Sequence, residues 1–188
     1  MLAKGFKTRA ENISLQIRRE LKMSKTDPLA CEALAEHLGV SLWKPTNIVG
    51  LSPGVSALLL RRAKDSWSAI TVSYGGVDVI IYNSSHSKAR QSSDVMHELS
   101  HILLSHGPSK IILSPKVSIA LRDYNENQED EAAWLAGCLL LPREALLFIR
   151  KNGMSDEETL EKYRVSGDLL NYRMNVTGVN YQARRGHR

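Results

Sequence analysis

The chain has 188 residues, 43% hydrophobic and 24% charged, which suits one domain with an appendage or two small domains and excludes wholesale disorder. No apolar run approaches the ~20 residues of a membrane helix, and Met1-Leu2-Ala3-Lys4 lacks the apolar middle of a signal peptide, so no membrane association is expected. The net charge of +5 is uneven: residues 1–25 carry seven Lys/Arg against two acidic residues, residues 161–188 carry six against two, and the middle is net acidic. Basic ends suit contact with nucleic acid or an acidic partner, or plain solvation of the termini, and solvation is the favoured reading.

In chain order, Ile13, Ile17 and Leu21 recur every four residues and predict a helix over 9–22. Asp27-Pro28 reads as the start of a second helix, with Asp27 as N-cap and Leu29, Ala33, Leu34 and Leu38 on its apolar face, ended by Gly39. Residues 45–54 read as loop. Residues 66–74 and 77–82 are β-formers around Gly75-Gly76 and predict a hairpin. A polar loop, Asn83 to Arg90, precedes a strong helix from Asp94 to Ser105. Residues 107–127 read as irregular, a helix runs from about Gln128 to Leu141 and stops at Pro142, and two further helices are expected near 156–163 and 166–175. Cys31 and Cys138 lie far apart, which argues against a disulfide scaffold and for the cytoplasm.

The chemistry concentrates in His97-Glu98-Leu99-Ser100-His101, a His-Glu-x-x-His sequence. Histidines at i and i+4 share one helical face, so their imidazoles can converge on one cation. Glu98, beside the first histidine, is placed to take a proton from water activated by that metal. Val95, Met96, Leu99, Ile102 and Leu103 predict a buried helix, where two histidines and a glutamate are costly unless something satisfies them. Glu129, Asp130 and Glu131 are candidates for a third ligand. Glu131 is preferred because it leads directly into the Ala-rich part of its helix, although acids at a helix start also favour the dipole alone.

These residues resemble the ImmA/IrrE family of metallopeptidases over roughly 10–145. The likeness rests on the loop from Asn83 to Arg90, on His97 to His101, and on Glu131-Ala132, Ala136 and Leu139-Leu140-Leu141-Pro142. It implies a zincin-like α+β fold: a small antiparallel sheet packed on the His-Glu-x-x-His helix and a second, Glu-bearing helix, with additional helices around them. It also implies zinc held by His97, His101 and Glu131, Glu98 as the catalytic base, and endopeptidase activity of the gluzincin type. Its expected substrate is a helix-turn-helix repressor encoded nearby, whose cleavage relieves repression. Ser100 stands where the family often has Gly, and Ala133 where it often has Asn; neither change removes a ligand.

Residues 1–145 are thus expected to form the peptidase domain and 146–188 a helical extension that resembles a helix-turn-helix, with packing on the body favoured over DNA contact. The rival readings are a DNA-binding regulator with a structural or sensory metal, and a non-catalytic interaction module. His106, five residues past His101, is expected to face away from the ligands. His37 and His86 read as surface residues, and Tyr74, Arg90 and Tyr124 as structural. The strand Val77–Tyr82 is a candidate edge for docking a substrate peptide.

Overall fold

The computed structural model describes residues 2–74, 76–106, 109–114, 117–121 and 125–179. Pro108, Pro115, Tyr124 and the basic segment 180–188 lie outside the described residues. The elements run α1 (Phe6–Glu20), α2 (Cys31–His37), β1 (Ser41–Trp43), α3 (Pro53–Ala57), β2 (Ala69–Tyr74), β3 (Val77–Tyr82), α4 (Lys88–Leu103), β4 (Ser109–Ser114), β5 (Val117–Leu121), α5 (Glu126–Leu140), α6 (Arg143–Lys151), α7 (Asp156–Tyr163) and α8 (Gly167–Thr177).

The α+β class holds, with corrections. Asp27 does not cap α2: its side chain accepts from the Ser24 amide, and the helix begins at Cys31 behind Ala30. Gly39 does end that helix. At φ 68° it closes a Schellman turn, with its own amide on Glu36 O and that of Val40 on Ala35 O. Residues 45–54 contain a 3-10 turn at Pro45–Asn47 and the start of α3, which continues as a π turn over Leu58–Arg62. The irregular region expected over 107–127 instead holds the β4–β5 hairpin.

The sheet has the order β1-β3-β2-β5-β4 and is mixed. β2 and β3 form the expected hairpin, with Tyr74 opposite Val77 and Gly76 at φ 81°. β1 lies parallel to β3, Leu42 opposite Ile80, so the purely antiparallel expectation fails. β2 runs antiparallel to β3 and so carries the chain back to the end of the sheet from which β3 can run parallel to β1. β3 is therefore interior, with its backbone groups used on both sides, and cannot be the docking edge; β1 and β4 are the edges.

α4 packs on the sheet with one side and on α5 with the other. Its buried residues Ser92, Val95, Met96, Leu99 and Ser100 follow i, i+3, i+4, i+7 spacing. α5 is buried on nearly every side from Trp134 to Leu140. The helical stretch Glu126–Lys151 has a window of mean hydropathy 1.6, long and apolar enough to cross a membrane, but 67% of that window is buried inside the protein. A place at the centre of the core accounts for that composition.

The carbonyls at the end of α5 have no partners within the helix and are met from outside. Ser14 Oγ donates to Cys138 O at 2.7 Å, Arg18 Nη2 to Leu139 O at 2.8 Å, and Arg173 Nε to Leu141 O at 3.0 Å. Two guanidinium groups thus sit at the negative end of the helix dipole. Glu11 completes the junction: its carboxylate accepts from the Arg143 amide at the start of α6 and from Arg173 Nη2. α6, which follows Pro142 directly and was not expected, buries Ala145, Leu146 and Ile149. The C-terminal helices pack on this body, α8 through Leu170, Arg173 and Met174, and α7 through Tyr163, whose hydroxyl donates to Thr26 O at 2.7 Å.

Candidate metal centre

The site lies where α4 meets the first turn of α5. His97 and His101, one turn apart, both face α5. Their Nε2 atoms are 3.0 Å apart, and Glu129 brings Oε2 to 3.0 Å from His97 Nε2 and Oε1 to 3.4 Å from His101 Nε2. These three residues form a group whose ligand atoms could hold one metal ion. Ligand atoms ~2.0–2.2 Å from a tetrahedral zinc stand roughly 3.3–3.6 Å from one another, close to the observed triangle. Two imidazoles and a carboxylate are also a donor set that zinc accepts.

The site is shielded on one side and open on the other. The His101 side chain is 0% exposed, while those of His97 and Glu129 are each 27% exposed. Beside His97 a cavity of about 420 Å³ opens between α4, α5 and α8, walled by Ala133, Trp134, Gly137, Leu169 and Tyr172. A larger cavity, about 610 Å³, lies near Cys31, Lys88 and Lys162 and touches none of the three cluster residues.

Glu131, the glutamate preferred from the sequence, lies outside this group. Successive helical residues are ~100° apart, so Glu129 and Glu131 diverge by ~200° and cannot both face α4's histidines. Glu131 Oε2 instead lies 3.4 Å from His106 Nε2. Glu98 is 6% exposed and accepts a 2.5 Å hydrogen bond from Thr71 Oγ1 of β2. Sequence reading had no means of finding Thr71, since its partner is 27 residues away.

His106 was also missed. α4 ends in a Schellman turn with Ser105 at φ 54°, so the Ser105 amide reaches Ile102 O and that of His106 reaches His101 O at 3.0 Å. The chain doubles back and brings His106 Nδ1 to 2.9 Å from His101 Nδ1. A His five residues past His101 signals this only if the helix is known to end at Leu103.

His86 is no surface residue: its side chain is 4% exposed and binds Asp94 at 3.2 Å and Lys64 O at 2.8 Å. Asn83, 1% exposed, donates to Lys64 O and Trp67 O, so the loop before α4 is pinned from two sides. His37 stays at the surface against Glu20, 30% exposed. Ser100, where the resemblance favoured Gly, is fully buried and donates to Met96 O at 2.8 Å, so its hydroxyl is satisfied. Both thiols are free and buried, and burial pushes each up to about 12.

The family model described as the IrrE N-terminal-like domain, a peptidase family, matches residues 48–175, more than half of the chain, and spans α4, α5 and their ligand candidates. No curated protein matches the chain.

Proposed function

The chain belongs to the IrrE N-terminal-like family of metallopeptidases, and on that premise we propose that it is a zinc-dependent endopeptidase of the His-Glu-x-x-His, gluzincin-like type. Its metal ligands are His97, His101 and Glu129, and its general base is Glu98. The observation that carries this reading is the convergence of three ligand atoms within 3.0–3.4 Å of one another at the junction of α4 and α5.

Zinc held there would supply Lewis acidity toward water and the scissile carbonyl. Glu98 takes the proton of the attacking water and hands it to the leaving amine. The Thr71 hydroxyl fixes the Glu98 carboxylate by its hydrogen bond, so the base stays oriented. A substrate side chain enters the cavity beside His97, against Trp134, Leu169 and Tyr172.

The substrate we propose is a helix-turn-helix repressor encoded nearby, cleaved in the cytoplasm to relieve repression. The support is the family resemblance together with two buried, unpaired thiols. We take residues 1–145 as the catalytic unit and 146–188 as a helical extension that supports α5 rather than reads DNA. The test is to incubate the protein with that repressor, with and without zinc, beside Glu98→Gln. Cleavage is expected only from the metal-loaded wild type, while Glu98→Gln stays folded and metal-bound but inactive. Wild-type cleavage by Glu98→Gln would overturn the mechanism, and no cleavage of the repressor would overturn the substrate.

A further inference from the structure

We propose that His106 and Glu131 form a positioning chain behind His101, which fixes that ring in the tautomer and orientation that present Nε2 to the metal. The proposal rests on the metal reading above and adds two residues that touch neither metal nor substrate.

His101 Nδ1 and His106 Nδ1 face each other at 2.9 Å, so one carries a proton and the other accepts it. His101 Nε2 faces His97 and Glu129, where a metal needs its lone pair, so the ring's proton must sit on Nδ1. His106 Nδ1 is then the acceptor, and the His106 proton lies on Nε2. That Nε2 lies 3.4 Å from Glu131 Oε2, a carboxylate that only accepts. With a metal on His101, a single proton arrangement satisfies every group from Glu129 through His101 and His106 to Glu131.

The surroundings fit this role. The His101 side chain is 0% exposed and that of His106 7% exposed, so water competes little for the shared proton. The rings meet edge to face, with centroids 5.0 Å apart at 67°, which aims the His106 nitrogen at the rim of the His101 ring. Ser105 at φ 54° returns the chain to this place, and the His106 amide bond to His101 O holds it. Ligating histidines commonly donate their other nitrogen to a carboxylate, and here a second histidine lies between the two. Loss of such partners typically weakens metal binding by about 10–100-fold.

The test measures zinc affinity of the full chain by chelator competition, with the metal-free melting curve of each variant as a folding control. His106→Ala is expected to weaken zinc about 10–100-fold. Glu131→Ala is expected to weaken it less, and the double variant no more than His106→Ala alone, because Glu131 acts only through His106. His106→Asn places an oxygen near the former Nδ1 and should recover most of the affinity while making Glu131→Ala silent. His106→Gln, whose polar atoms sit near the former Nε2, should not recover it. A purely structural role would not distinguish Asn from Gln. Unchanged affinity in His106→Ala, independent losses in the double variant, or equal rescue by Asn and Gln would each overturn the chain. A wild type that takes up no zinc would defeat the metal reading as well, whereas a zinc-loaded wild type indifferent to His106→Ala defeats this inference alone.

Discussion

Arg18→Met probes how α5, which carries the proposed third ligand, is held. Arg18 is 0% exposed and donates to Leu139 O at 2.8 Å, Ser14 Oγ at 2.8 Å and Asp27 O at 3.1 Å. Burial pulls its guanidinium down from its ordinary value to about 10, so keeping the charge inside costs roughly 3 kcal/mol at about 1.4 kcal/mol per factor of ten. Methionine relieves that cost and fills similar space, but it leaves three acceptors without their charged donor, at about 1.5–3 kcal/mol each. The balance is a loss of roughly 1.5–6 kcal/mol, a range that includes what breaking buried charged contacts usually costs. Urea unfolding of the metal-free protein reads it as a lower midpoint at unchanged slope. Leu139 lies ten residues from Glu129, or about 15 Å along the helix, so zinc affinity should change little while the protein is folded. A loss below about 1 kcal/mol would refute the claim that Arg18 holds the end of α5.

Two further expectations concern groups outside the ligand set. Ser105→Gly should raise stability by about 0.5–1 kcal/mol, because φ 54° strains a residue with a Cβ, and should leave zinc affinity intact; Ser105→Val should lower both, and a destabilised glycine variant would contradict the turn. Cys31 and Cys138, pushed up to about 12 by burial, carry roughly one thiolate in ten thousand at pH 8, so a thiol reagent should label neither in the native protein and both in denaturant. The protection should persist until pH approaches 12 or the fold opens, and fast native labelling at pH 8 would contradict the burial.

The helix that carries the proposed ligands His97 and His101 was legible because its information is local: two histidines at i and i+4 and an apolar stripe that continues on both sides of them. The β2–β3 hairpin and the helix end at Gly39 were legible for the same reason. The place of Glu129 beside the two histidines was not, because α5 is buried on nearly every side and its apolar residues give no direction that separates Glu129 from Glu131. His106 was lost to one backbone angle at Ser105, since helical arithmetic does not apply past a left-handed turn. The parallel β1–β3 pairing joins residues 38 positions apart, such as Ser41 and Val79, through pairing that no short pattern records.

Zinc content after dialysis of the wild type, beside Glu129→Ala and Glu131→Ala, decides which side chains hold the metal. About one zinc per chain is expected in the wild type, loss in Glu129→Ala as in His97→Ala and His101→Ala, and retention in Glu131→Ala, whose affinity is weakened but not abolished. Zinc retained by Glu129→Ala and lost from Glu131→Ala would contradict the ligand set His97, His101 and Glu129.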